Sequence, residues 1–227
     1  MSNNNHRSKN KIIFLDRDGV INEFPGNGKY VTRCRDFHFI PGSLEGIQLL
    51  TKSGYKIFVI SNQAGVGKKI FSERKLNQIT RKMLRGVKIS GGRIKKVYYS
   101  IKRSNEGCQF RKPNIGSIRK ALASMNKDLK AARGAYFIGD TESDIKTGRN
   151  AGCKTIFVLS GREDCLYMRR WDDIQPDFIF RDLRDAAKYI LGLEDIKPIS
   201  RRSKLAKVII NKKRRKVGIN LHRRSTD

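Results

Sequence analysis

One stretch decides the fold: Lys11-Ile12-Ile13-Phe14-Leu15-Asp16-Arg17-Asp18-Gly19-Val20. Its apolar run predicts a short strand buried on both faces, as in a parallel sheet. The two carboxylates that follow would lie at the carboxyl end of that strand, which is the edge of an open α/β sheet where ligands bind. Turns after strands also favour Asp and Gly for local reasons, so the pair taken alone is equally typical of an ordinary turn.

Length and composition indicate one α/β domain with extra segments at its ends. The chain has 227 residues, 38% of them hydrophobic, and a mean hydropathy of −0.57. No window approaches the roughly eighteen apolar residues of a membrane-spanning helix. Residues 1–10 are polar and lack the apolar core of a secretory signal, so we expect a flexible arm. The predicted domain covers residues 11–195.

The cysteines favour a reducing compartment. Cys34, Cys108, Cys153 and Cys165 are scattered and form no Cys-x-x-Cys pair. In a chain of this size such cysteines are typical of free thiols. We therefore expect a cytoplasmic protein.

The net charge of +29 is the most unusual bulk property. Residues 196–227 hold twelve Lys and Arg against one acid, and we expect this basic tail to be mostly disordered. Residues 12–195 still carry a net charge of +15, from 35 Lys and Arg against 20 acids. One interpretation is a polyanionic partner such as nucleic acid. The other is a generally basic proteome or a solvated tail, and composition leaves both open.

Three further predicted strands end in polar residues that suit a phosphate. After residues 55–60, Ser61-Asn62-Gln63 offers a hydroxyl and amides, and the glycines that follow free main-chain N–H groups. After residues 94–99 and an irregular stretch, Pro113 fixes the geometry of Arg111-Lys112, whose cations could offset phosphoryl charge. After residues 135–139, Asp140 adds a third carboxylate, giving the oxygen-rich shell that Mg²⁺ prefers.

Each of these signals also has an ordinary structural explanation. Ser-Asn-Gln is equally typical of a turn, Arg111 and Lys112 could be solvated, and Asp144 would serve in the first turn of a helix. The occurrence of all these residues in chain order favours a catalytic site over a series of unrelated turns. It describes phosphoryl transfer in which a carboxylate attacks phosphorus, Mg²⁺ neutralises oxygens, and a second carboxylate moves protons.

Over residues 11–192 the chain resembles a phosphatase of the haloacid dehalogenase superfamily. The motifs that carry the resemblance are Asp16-Arg17-Asp18-Gly19-Val20, Ser61-Asn62-Gln63, Arg111-Lys112-Pro113 and Gly139-Asp140-Thr141-Glu142-Ser143-Asp144. The resemblance implies a doubly wound, Rossmann-like, mostly parallel sheet with helices on both faces and no large cap domain. It also implies that Asp16 is the nucleophile and Asp18 the general acid and base. Mg²⁺ would be bound by Asp16, Asp140 and the Asp18 main-chain carbonyl.

The resemblance extends to the capless branch that contains histidinol-phosphate and heptose-bisphosphate phosphatases. It implies that Ser61, Asn62, Gln63 and Lys112 hold the phosphoryl group, while Arg111 and the loop from Asn22 to Tyr30 lie near the substrate. Those enzymes usually bind a structural Zn²⁺ with a Cys-x-His and a Cys-x-Cys pair. Ser100, Lys102, Cys108 and Phe110 stand at those positions here. One thiol cannot complete a tetrahedral site, so we expect no zinc.

Three functions remain open at this stage. The first is hydrolysis of a small phosphorylated sugar, above all heptose 1,7-bisphosphate. The second is a polynucleotide 3′-phosphatase, since the basic charge suits nucleic-acid ends. The third is a polyanion-binding module with secondary catalysis, against which the intact Asp16, Asp18, Lys112 and Asp140 argue.

Overall fold

The structure is a computed structural model that describes residues 11–103, 105–162 and 174–200. The predictions for residues 1–10, for Cys165 and for residues 201–227 of the basic tail lie outside these ranges. No helix within them is both long and apolar enough to cross a bilayer.

A six-stranded parallel sheet forms the centre of the molecule. Its strands are β1 (Ile12–Leu15), β2 (Lys56–Asn62), β3 (Ile94–Ser100), β4 (Tyr136–Gly139), β5 (Lys154–Val158) and β6 (Phe178–Phe180). Their order is β3-β2-β1-β4-β5-β6, and every neighbouring pair is parallel. The order runs outward in both directions from β1, which confirms the doubly wound fold.

Helices cover both faces of the sheet. They are α1 (Ser43–Lys52), α2 (Ala64–Gly67), α3 (Glu73–Ile89), α4 (Gly116–Ala123), α5 (Glu142–Ala151) and α6 (Leu183–Leu191). One apolar core joins the sheet to α1, α3 and α6, and a second core joins its other face to α4 and the end of α5. Among the described residues no separate cap domain covers the carboxyl edge of the sheet.

The central position of β1 explains its uninterrupted apolar sequence. Ile13 and Leu15 pack into the first core, whereas Ile12 and Phe14 pack into the second. All four side chains are at most 2% exposed. Because both faces of β1 are buried, the strand shows no alternation of polar and apolar residues. Its carboxyl end places Asp16 in the middle of the edge where the other strands also end.

Candidate active site

The polar residues that follow the strands converge on one cavity of about 400 Å³. Among the residues predicted from the sequence, it is lined by Asp16, Asp18, Tyr30, Ser61, Asn62, Arg111, Lys112 and Asp140. Asn22 and Gln63 are buried behind it and do not line it. The structure therefore brings most of the predicted site residues to one cavity, while two of them do not face it, and their roles in catalysis and binding stay predictions.

A buried lysine joins two of the carboxylates. Lys112 is 5% exposed, and its Nζ lies 2.8 Å from Asp16 Oδ1 and 2.5 Å from Asp144 Oδ1. Burial lowers the pKa of Lys112, but Asp144 and Asp16 raise it by more, so the lysine remains a cation. Burial raises the pKa of Asp16 to about 6, against the opposing effect of Lys112. The Asp16 carboxylate is thus little solvated, as suits a nucleophile.

Asn62 acts on Lys112 through the main chain. Its Nδ2 donates to the Lys112 carbonyl and its Oδ1 accepts from the Lys112 N–H, both at 3.1 Å. This pair of bonds joins the end of β2 to the segment that carries the lysine. Asn62 therefore positions Lys112, in addition to the contact with phosphate that the sequence predicted.

Asp140 completes a group of carboxylates suited to a cation. One oxygen each of Asp16, Asp140 and Asp144 lie within 4.8 Å of one another. Asp140 Oδ2 accepts a hydrogen bond from the main-chain N–H of Arg162, while its Oδ1 is buried with no hydrogen-bond partner among the described residues. Burial and the carboxylates of Asp16 and Asp144 raise the pKa of Asp140 well above its ordinary value. A bound Mg²⁺ would fit the oxygens of Asp16 and Asp140, because carboxylate oxygens are its preferred ligands, whereas Asp144 pairs with Lys112.

Gly19 makes the close approach of Asp140 possible. Its φ is +88°, and a Cβ at this position would overlap Asp140 Oδ2. Any other residue would be strained in this conformation and would push Asp140 away from Asp16. The glycine of the first motif is therefore required by the geometry of the site.

Asp18 is held quite differently from Asp16. Arg17 Nη2 lies 2.9 Å from both of its carboxylate oxygens, and the amides of Asn22 and Gln63 each donate to it at 2.8 Å. Arg17 is completely buried, and its guanidinium lies 5.7 Å from the centre of the Tyr99 ring. Asn22 and Gln63 therefore orient Asp18, a contact that the sequence did not predict, while their predicted contact with the substrate stays a prediction.

Comparison with known proteins agrees with this geometry. The family model for HAD-hydrolase-like proteins matches residues 109–186. The D-glycero-alpha-D-manno-heptose-1,7-bisphosphate 7-phosphatase of Campylobacter jejuni is 34% identical over 152 residues, which cover 67% of this chain and 84% of that protein. The chain belongs to the HAD-like hydrolases. It is a phosphoric monoester hydrolase of that family, which confirms the resemblance found in its sequence.

Two further relatives are similar to this HAD-like phosphatase over most of its length. The D-glycero-beta-D-manno-heptose-1,7-bisphosphate 7-phosphatase of Pasteurella multocida is 30% identical over 191 residues, covering 81% of this chain and 98% of that one. The crystal structure of the D,D-heptose 1,7-bisphosphate phosphatase from B. bronchiseptica, complexed with magnesium and phosphate, matches with a TM-score of 0.72 and 27% identity. It covers 80% of this chain and 98% of that one.

Asp144 has a larger role in this HAD-like phosphatase than its sequence context indicates. It takes part in the capping box of α5 with Thr141, which agrees with the predicted place in the first turn. It also forms the ion pair with Lys112 described above. The spacing of four residues from Asp140, at the same strand end, is the signal that could have revealed it.

The four positions at which the sequence resemblance implied zinc ligands in related enzymes have other partners here. Ser100 Oγ donates to Cys108 Sγ at 3.7 Å, and Lys102 pairs with Glu106 at 3.6 Å. The ring of Phe110 lies 4.2 Å from the Lys120 ammonium. Three interactions stabilise this loop: the hydrogen bond, the ion pair and the cation–π contact. That the phosphatase binds no zinc remains a prediction.

Proposed function

We propose that this phosphatase hydrolyses the 7-phosphate of D-glycero-D-manno-heptose 1,7-bisphosphate in a Mg²⁺-dependent reaction, through an aspartyl-phosphate on Asp16. The observation that carries the chemistry is the buried Asp16 carboxylate beside Lys112 Nζ, in a cavity that Asp18 also lines. The substrate class rests on the names of the relatives. The free thiols of Cys34, Cys108 and Cys153 favour the cytoplasm as its location.

The first chemical step uses the two aspartates in different ways. Lys112 and the Ser61 hydroxyl bind oxygens of the phosphoryl group and hold phosphorus in front of Asp16. An Asp16 oxygen attacks phosphorus, and the bond from phosphorus to the sugar oxygen breaks with its electron pair on that oxygen. Asp18 donates a proton to the leaving oxygen.

The second step releases phosphate. Asp18, now ionised, takes a proton from a water molecule whose oxygen attacks phosphorus. The bond between phosphorus and Asp16 breaks, and the Asp16 carboxylate is regenerated. Mg²⁺ held by Asp16, Asp140 and the Asp18 main-chain carbonyl would supply charge neutralisation of the phosphoryl oxygens.

The cavity suits a small bisphosphate. Its volume of about 400 Å³ is in the range of small-molecule sites. Besides Lys112, three cations line it, namely Lys29, Arg111 and Arg162. Cations in addition to Lys112 favour a substrate that carries a second phosphate.

A substrate panel tests the proposal. We expect heptose 1,7-bisphosphate to give the highest kcat/KM, ahead of histidinol phosphate and of a 3′-phosphorylated oligonucleotide, with phosphate release as the readout. Chelation of divalent cations should abolish turnover, and added Mg²⁺ should restore it. A higher kcat/KM on the oligonucleotide would overturn the substrate, and full activity in chelator would overturn the metal dependence.

A further inference from the structure

The positive charge of the folded domain is concentrated in one segment. Residues 68–103 hold thirteen Lys and Arg against one acid, a net charge of +12. The rest of residues 12–195 holds 22 Lys and Arg against 19 acids, a net charge of +3. A generally basic proteome would raise the charge throughout the domain. The excess is therefore a local property of this segment.

The segment forms one border of the molecule, made by α3 and by β3, which is the edge strand of the sheet. We call the exposed cations of this region the basic edge, comprising Arg74, Lys75, Arg81, Lys82, Arg85, Lys88, Arg93, Lys95 and Lys96. None of them lines the active-site cavity. The surface is thus separate from the catalytic residues.

The cations of the basic edge form no ion pair with any carboxylate of the described residues. Within the described ranges, no carboxylate oxygen lies within 4.0 Å of any of its nine cations. Elsewhere on the surface, cations do pair, as Arg149 does with Asp177 and Lys188 with Glu194. Arg81, Arg85 and Lys88 are spaced four and three residues apart, so like charges repel along the helix. A bound polyanion would relieve this repulsion.

The shape of α3 favours one class of polyanion. At 3.6 residues per turn, Arg74, Arg81, Arg85 and Lys88 lie in one stripe that rises about 21 Å along the helix. The opposite face, with Leu76, Ile79, Met83 and Val87, is buried in the core. The helix therefore cannot insert an apolar face into a bilayer and offers charge alone. A regular line of cations suits the regular line of phosphates of a nucleic acid.

We propose that the basic edge binds the phosphate backbone of nucleic acid, without reading its sequence and independently of phosphatase activity. The test uses the full chain with four cations of α3 neutralised together, Arg74→Gln, Arg81→Gln, Arg85→Gln and Lys88→Gln. The matched control neutralises four exposed cations of another region, Lys127→Gln, Lys130→Gln, Arg133→Gln and Lys154→Gln. Both variants lose the same charge and keep the C-terminal tail.

Binding is measured with a fluorescent oligouridylate long enough to span α3, with a DNA duplex, and with anionic vesicles as a third arm. We expect the α3 variant to bind oligouridylate at least about tenfold more weakly than the control variant, with a salt slope smaller by about 3. The relative strength of the RNA and DNA arms identifies the preferred nucleic acid. Unchanged hydrolysis of p-nitrophenyl phosphate by both variants verifies their folding.

Two results would overturn the proposal. Equal weakening of the two variants would show that the basic edge contributes no more than any other surface charge. Stronger binding of the wild-type chain to vesicles than to either nucleic acid would assign the surface to a membrane. Lysine acetylation of the wild-type complex gives a check without variants, because bound oligouridylate should protect Lys75, Lys88, Lys95 and Lys96. Equal acetylation with and without oligouridylate would also contradict it.

Discussion

The surroundings of Asp16 and of Asp18 differ sharply, although only Arg17 separates them in the sequence. Asp16 pairs with the Lys112 ammonium, and the acids Asp140 and Asp144 lie close to it. Asp18 instead receives hydrogen bonds from Arg17, Asn22 and Gln63. The same side chain can thus serve as nucleophile or as proton carrier, because its hydrogen-bond and ion-pair partners decide how its carboxylate is oriented.

Replacement of the nucleophile Asp16 should have the largest effect of the substitutions that test the different roles of Asp16 and Asp18. Asp16→Asn leaves the shape of the side chain unchanged but takes away the attacking oxygen's charge. We expect the rate of Mg²⁺-dependent phosphate release to fall on the order of 10⁴-fold or more. Acid-quenched reactions should contain no phosphorylated protein. Activity near that of the wild type would contradict the proposed mechanism as a whole.

Lys112→Met should impair both catalysis and stability. The substitution removes a cation that binds phosphate, which we expect to lower kcat/KM by about 10²–10³-fold. It also leaves Asp16 and Asp144 buried without their partner, at a cost of about 3 kcal/mol in the free energy of unfolding. Denaturant titration measures that loss. The control Lys188→Met breaks an ion pair at the surface and should lower the free energy of unfolding by less than about 1 kcal/mol. A similar loss of stability in both variants would contradict the role of burial.

Arg17→Met should have a smaller and more selective effect. We expect turnover of a sugar phosphate to fall by about 10–10²-fold, because Asp18 would no longer be oriented toward the leaving oxygen. Hydrolysis of p-nitrophenyl phosphate should fall less, since p-nitrophenolate leaves without a proton. Arg17→Lys should recover part of the loss on the sugar phosphate, and Arg74→Met serves as an exposed control. An equal loss on both esters would indicate a purely structural role for Arg17.

The sequence predicted the positions that end strands better than the contacts between them. Asp16, Ser61 and Asp140 follow from apolar runs and their polar ends, because parallel strands place such ends on one edge. Lys112 was predicted from the turn at Pro113, which follows an irregular stretch after β3. Arg17 was not predicted as a site residue, since a basic residue between two acids is typical of a solvated one. It contacts Gln63, which follows β2, and Tyr99 of β3, and both are far from it in the sequence.

Two other differences have the same origin. Gln63 and Asn22 carry amides that suit a phosphate, and only the folded chain shows that they are directed at Asp18. Asp144 fulfils its local role as a cap, but its ion pair with Lys112 joins residues 32 positions apart. Contacts between separate strand ends have no periodic signal in the sequence.

Gly19 also limits how this sequence can diverge. Because a side chain at position 19 would overlap Asp140, the loops after β1 and β4 can change in sequence only if position 19 remains glycine. The exposed residue Lys29, which lines the cavity, is under no such restriction. Over evolutionary time we expect new substrate preferences to arise by replacement in the loop around Lys29, while the first motif remains fixed at its glycine.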